Sequence, residues 1–303
     1  MFYKMNKKFI DWLIFTLLSL IWGSSFILMK LGMQQLSSYQ VAALRIFSAG
    51  LVLLPITIKY IKSVPSNKLF LIFLSGSIGN LIPAFLFCIA EEKIDSGLAG
   101  TLNSLTPIFV VVTGYIFFNI QTSINKIIGI FIAFTGSFLL LFSTSHLQQS
   151  MHFSLVLLVV LATILYGFNV NMVSKKLSGI LSLHIAAIAL SLNAIPALLV
   201  LIFTGYFTLP LGNKNMLVAT GASVVLGVLG TAVATVIFYI LVKRAGGVFA
   251  TMVTYGIPFI AIGWGFIYGE AFGWQQAICL LIILIGVYYS NKKVKPTKLQ
   301  QPL

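Results

Sequence analysis

The chain is divided into apolar runs of about 20 residues, the length of helix needed to cross a hydrocarbon core of ~30 Å. Lipid offers the backbone no hydrogen-bond partner, so a spanning segment must be a helix or part of a closed barrel. These runs are continuously apolar and do not alternate over ten-residue stretches, which selects helices. Composition argues against a soluble fold. Of 303 residues, 59% are hydrophobic and 8% charged, whereas a soluble domain carries roughly a quarter charged residues. The expected class is an all-α integral membrane protein.

Breaks at polar, Gly and Pro clusters place ten spans near 12–31, 39–59, 69–90, 96–118, 126–143, 153–174, 180–204, 216–242, 247–268 and 272–290. The first run has a basic flank, is long enough to span and is followed by no small-residue cleavage site, so it reads as helix 1 and not as a leader. The connections are too short to hold a soluble domain. The tail from Asn291 to Leu303 reads as a disordered cytoplasmic extension (291–303). With the N-terminus in the cytoplasm, fifteen of the 19 Lys and Arg residues fall on the cytoplasmic side, Lys93 and Lys214 fall outside, and Lys30 and Arg45 lie within spans. Among the acids, Glu91, Glu92, Asp95 and Glu270 fall outside and Asp11 inside. This sorting obeys the positive-inside rule and supports ten spans with both termini cytoplasmic. The net charge of +14 is therefore a topology signal; it forms no basic domain for nucleic acid. Cys88 and Cys279 fall in apolar runs and read as small buried residues, not as a disulfide framework.

An internal repeat is visible. Displacing the chain by 151 positions superposes Gly76 on Gly227, Gly79 on Gly230, Pro107 on Pro258 and Gly114 on Gly265. With a different offset, Trp22-Gly23 … Lys30 is similar to Tyr166-Gly167 … Lys175. Each half (12–145 and 153–290) holds five helices, an odd number, so the halves must cross the membrane in opposite senses. Inverted repeats of this kind are a recurrent transporter architecture with the substrate site near the midplane between them.

Ile21-Trp22-Gly23-Ser24-Ser25-Phe26 … Lys30 resembles the opening of EamA-type members of the drug/metabolite transporter superfamily, as does Leu44-Arg45 in the second helix. Leu98-Ala99-Gly100 … Leu105-Thr106-Pro107 and Phe249-Ala250 … Ile257-Pro258 resemble that family's duplicated Ala … Pro signature, and Tyr268-Gly269-Glu270 its closing Gly-Glu. Two departures stand out: Asn119 occupies the first-half counterpart of Glu270, and helix 3 ends in Ala90-Glu91-Glu92-Lys93, more acidic than expected. The resemblance spans roughly residues 12–290. It implies export of amino acids, related metabolites or toxic compounds by alternating access.

A transport path needs polar and aromatic groups inside the bundle. The substrate-binding candidates are Trp22, Ser24, Asn80, Asn103, Tyr166, Asn169, Tyr239, Tyr255 and Trp264. The amides among them lack water partners in hydrocarbon and should face the interior, where they either contact substrate or hydrogen-bond between helices. Lys30 and Arg45 either pair with Glu92, Glu270 or their acidic neighbours to latch an outer gate, or snorkel to the interface. Pro107 and Pro258, each inside a span, should kink their helices as hinges or as static bends. The stripe Ala219, Ser223, Gly227, Thr231 and Thr235 reads as a close-packing face. His184 reads as an interfacial residue, and no acid lies mid-span.

Intramembrane hydrolysis would need clustered His, Asp, Glu or Cys. The spans offer no such cluster and no phosphate-binding loop, so neither an enzyme, a metal nor a cofactor is expected. No filter-like repeat or ring of charge suggests a channel. The expected protein is a secondary transporter of the bacterial inner (plasma) membrane. Its partners are the bilayer and a small organic solute, amino acids or related metabolites first and lipophilic toxic compounds second, and a monomer is compatible with the sequence.

Overall fold

The computed structural model describes residues 7–94, 96–143, 153–267 and 273–291, and every regular element among them is helical. Its main helical segments are Lys7–Met33 (α1), Ser38–Ser63 (α2), Ser66–Ala90 (α3), Ser96–Phe118 (α4), Ile124–Leu140 (α5), Phe153–Lys175 (α6), Ser182–Phe203 (α7), Lys214–Ala245 (α8), Gly247–Trp264 (α9) and Trp274–Ser290 (α10). Eight of these are long and apolar enough to cross a membrane; α5 and α10 are apolar but shorter. Large apolar side chains such as Phe70, Phe117, Phe203 and Trp274 stay exposed, as contact with lipid tails requires. Asp95, Glu270 and residues 292–303 lie outside the described residues.

α2 ends in a 3₁₀ turn at Ile61–Ser63, and four other segments are interrupted within their length. α3 widens into a π turn at Ser77–Leu81 and α8 into another at Val228–Val233. α4 breaks between Ser96–Asn103 and Thr106–Phe118. α9 breaks at the 3₁₀ turn Met252–Tyr255, before Ile257–Ile267. Ser77 and Val228 are 151 positions apart, as are Thr106 and Ile257. Pro107 and Pro258 are thus the second residues of the pieces that follow the breaks. A helix's first N–H groups have no intrahelical acceptor, so proline there removes nothing. Each proline begins a new half-helix where a kink in a continuous one was expected. Asn119 ends α4 with φ of 51°, a left-handed conformation that Asn tolerates better than Glu.

The packing pairs follow a simple rule. α2 lies along α7 and α5 along α10; α1 meets α8 and α9, while α6 meets α3 and α4; α3 touches α7 as α8 touches α2. Exchanging each helix for the one five places away maps this set onto itself. Two glycines permit the closest of these approaches. A Cβ on Gly76 would stand 2.6 Å from the Ala189 carbonyl oxygen on α7, and one on Gly227 would collide with the Arg45 carbonyl on α2. The small-residue stripe on α8 serves the same contacts, with Ser223 against Gly32 and Gly227 against α2.

Polar groups that face the interior are paired across helices. Asn171 Nδ2 donates to Val110 O and Thr113 Oγ1 on α4, both at 2.9 Å. Asn193 Nδ2 on α7 donates to Phe73 O on α3 at 3.1 Å, and Thr57 and Ser191 join α2 to α7 at 2.8 Å. His184 stacks on Tyr60 with ring centroids 4.4 Å apart.

Candidate functional site

The breaks and wide turns all lie around one internal cavity. It encloses about 100 Å³ and is lined by residues of α1, α2, α3, α4, α6, α8 and α9. Helices α5, α7 and α10 contribute none of that lining and buttress the others. The π turns present Gly79 and Asn80 on one side and Gly230 on the other. The interrupted stretches of α4 and α9 present Asn103 and Thr106, and Thr251, Thr254 and Ile257.

Of the nine residues selected from sequence as substrate-binding, six line this cavity: Trp22, Asn80, Asn103, Tyr166, Asn169 and Tyr239. Trp22 is fixed by donation from Nε1 to Gly230 O at 3.1 Å, at the mouth of the α8 π turn. Asn169, Ser75 and Tyr239 form a triangle. Ser75 Oγ donates to Asn169 Oδ1 at 2.6 Å, Asn169 Nδ2 donates to Tyr239 Oη at 3.0 Å, and the two hydroxyls lie 3.2 Å apart. A side chain so tied is a rigid wall with little freedom to reorient. The remaining three are placed elsewhere. Ser24 accepts from Trp264 Nε1 at 2.9 Å, clamping α1 to α9 outside the lining. Tyr255 is fully buried and donates to Ile130 O on α5 at 3.0 Å, which makes it a packing residue.

The cavity also collects residues that sequence reasoning had placed differently or passed over. Arg45, read from sequence as either an outer gate residue or an interfacial snorkel, lines it. Its Nε donates to Thr231 Oγ1 at 2.7 Å, and among the described residues neither Nη group makes a hydrogen bond. Phe26, Phe87 and Phe238 add aromatic walls and Thr235 a hydroxyl. Thr235 Oγ1 donates to Asn80 Oδ1 at 2.9 Å. Asn80 Nδ2 is buried and makes no hydrogen bond, although it lies close enough to the Tyr239 hydroxyl to interact electrostatically with it. A phenylalanine is not a signal for a cavity in a chain this apolar, so only Arg45 could have been singled out beforehand.

Lys30 and Glu92 lie apart from this cavity. With Gln34, Ser37, Ser38 and Glu91 they line a vestibule of about 570 Å³ at one end of the bundle. Among the described residues Lys30 makes no contact with a carboxylate, but it acts on Glu91 through its field. Glu91 is buried, accepts from Ser96 Oγ at 3.3 Å, and has an unpartnered Oε1; Ser38 Oγ in the same vestibule is also unpartnered. Burial pushes the Glu91 carboxyl up to about 8, against the lowering influence of Lys30, the Ser96 hydrogen bond and Arg45. The opposite end is tied shut. Arg244 Nε meets Asp11 Oδ1 at 2.7 Å, linking α8 to α1. Lys243 Nζ donates to Leu177 O at 3.0 Å, to Ser178 O at 3.3 Å and to Ile180 O, holding the α6–α7 connection.

Comparison with known proteins gives these observations a family. The family model described as EamA-like transporter family matches twice, at residues 10–142 and 153–292. The chain is 23% identical to Protein PagO of Salmonella typhimurium over 284 residues, 91% of each chain. It is 31% identical over 125 residues to an uncharacterized transporter of Archaeoglobus fulgidus, covering 41% of this chain and 45% of that one. A crystal structure with 16% sequence identity superposes with a TM-score of 0.69 over 92% of this chain and 95% of the other; at that identity the likeness speaks for the fold.

Proposed function

The chain belongs to the EamA-like transporter family, and from that premise we propose that it is a secondary carrier of small organic metabolites, amino acids or related compounds, working by alternating access and exporting them across a bacterial inner membrane. On this reading α1–α10 all span the bilayer with both termini in the cytoplasm. They form two inverted five-helix repeats (12–145 and 153–290) that rock about the central cavity.

The observation that carries the proposal is the site's construction. One enclosed cavity draws its lining from both halves, at π turns and helix breaks 151 positions apart. Non-helical backbone at membrane depth is tolerated where it lines a cavity, and transporter sites are built where such breaks meet. The exchange symmetry of the helix contacts supports two halves able to trade roles. In this scheme Trp22, Asn80, Asn103, Tyr166, Asn169 and Tyr239 shape the site, and Ser24, Trp264 and Tyr255 brace the helices behind it. Pro107 and Pro258 mark the hinges. Lys30 and Glu92 guard the outer vestibule, while Arg45 serves the cavity itself. The ties at the Arg244 end make the described state closed toward the cytoplasm.

The test is uptake of a panel of radiolabelled amino acids and nucleosides by liposomes holding the purified protein, against empty liposomes. Saturable, temperature-dependent uptake competed by unlabelled solute is expected. Flux that rises linearly without saturation would instead identify a channel.

A further inference from the structure

We propose that the central cavity is an anion site: it recognises its solute by a carboxylate held by Arg45 and Asn80, and it does not bind organic amines that lack one. The inference rests on the central cavity being the transport site and goes further by naming the charge it selects.

Three observations carry it. First, among the described residues Arg45 is the one ionised side chain on the lining, and none of them there is acidic. A guanidinium within a span needs a counter-charge, or its burial is costly. Only its Nε is satisfied, by the neutral Thr231 hydroxyl. The two Nη groups remain, and this paired fork matches the two oxygens of a carboxylate.

Second, Asn80 Nδ2 is a buried donor without a hydrogen bond, on the same lining, while its own Oδ1 is occupied by Thr235. An unsatisfied buried amide costs free energy that an incoming acceptor recovers. Asn103 adds to the bias, because its Oδ1 accepts from Thr106 Oγ1 at 3.2 Å and leaves Nδ2 unused.

Third, the hydroxyl protons that could meet an acceptor are largely spent. Thr251 and Thr254 donate to Gly247 O and Thr251 O, both at 2.9 Å, and the Trp22 indole donates to Gly230 O. The donors left free on the lining are therefore those of Arg45, Asn80 and Asn103, with the Tyr166 hydroxyl beside them. The acidic groups nearest in effect, Glu91 and Glu92, belong to the vestibule and not to this lining. An ammonium entering the cavity would meet a fixed cation and, among the described residues, no lining carboxylate. The aromatic walls Phe26, Phe87 and Phe238 offer contact to the apolar part of a bound acid.

The experiment compares three probes of one shape in thermal unfolding of the purified full chain at neutral pH: isovalerate, 3-methylbutan-1-ol and 3-methylbutan-1-amine. Isovalerate should raise Tm saturably, and the alcohol and amine should not. Arg45→Gln should raise the half-saturating concentration about tenfold or more, and Arg45→Lys by less, because an ammonium supplies charge without the fork. Asn80→Leu should weaken the response a few-fold. The ranking of the three probes on the unmodified protein needs no variant to fold. Equal stabilisation by the amine, undiminished response in Arg45→Gln, or no saturable response to isovalerate would each overturn the proposal. Saturable flux of an amine in liposomes would keep the carrier reading and reject this one. A carboxylate response with no flux of any solute would do the reverse.

Discussion

Helix α3 and helix α8 occupy equivalent places in the two halves, yet their C-terminal ends carry opposite charge and do opposite things. α3 finishes in Glu91-Glu92-Lys93, and the positions 151 further on are Val242-Lys243-Arg244. A helix ends in unpaired carbonyls and a partial negative charge, so cations are favoured there and acids are not. At the α8 end, Lys243 reaches the carbonyls of Leu177, Ser178 and Ile180, and Arg244 pairs with Asp11. At the α3 end, Glu91 accepts from Ser96 Oγ and, among the described residues, reaches no carbonyl. Its Oε1 is unpartnered, and the vestibule stands open beside it. A backbone plan shared by the two halves is thus closed at one end and open at the other by the sign of a few side chains.

That comparison can be broken at its shared part first. Gly76 and Gly227 make equivalent approaches to the carbonyls of Ala189 and Arg45. Gly76→Val and Gly227→Val should each cost about 3 kcal/mol or more through enforced helix separation, read as loss of monodisperse protein on size exclusion. A tolerated Gly76→Val beside a damaging Gly227→Val would show that the halves do not pack alike. The tied end comes next. Lys243→Met removes three carbonyl contacts, and the amides of residues 177–182 should exchange hydrogen about tenfold faster, whereas those around α3's end should not change. Uniform acceleration across the chain would mean global loosening and not the release of one end.

The last expectation, at Glu91, is a pH dependence. Its carboxyl is raised from 4.5 to about 8 in the folded protein, so between those values the folded state holds a proton that the unfolded state has lost. Stability then falls as pH rises through this window, and the whole penalty is present above 8. Glu91→Gln keeps the site neutral throughout. Its Tm should match the parent below pH 4.5 and exceed it by a few degrees above pH 8. A constant offset across the range would show that Glu91 titrates normally.

The apolar helices, eight of them long enough to cross a membrane, were readable because lipid imposes one requirement on every residue in such a helix. The glycine and proline coincidences were readable because they reflect backbone constraints that survive duplication. Direction was harder to read. Tyr239 and Tyr255 look alike in sequence, yet one lines the cavity and the other donates to Ile130 from full burial. Aromatic and polar character say that a residue belongs inside, not which neighbour it meets. Arg45 drew attention as a charge in a span, but its place in the cavity depends on Thr231 from the other half, 186 residues away. The π turns left no sequence mark beyond their glycines, since a widened turn is a compromise among tertiary contacts.

Those widened turns separate two design problems. A π turn holds one residue more than the α-helix would, so the helix beyond it is rotated by about 100° relative to an unbroken one. In α3 and α8 the face shown to lipid before the turn need not be the face shown after it. The outer coat and the inner lining can therefore drift independently during evolution. New solutes can be accommodated by editing residues just past the turn, while the stretches that dissolve the protein in its membrane stay as they are.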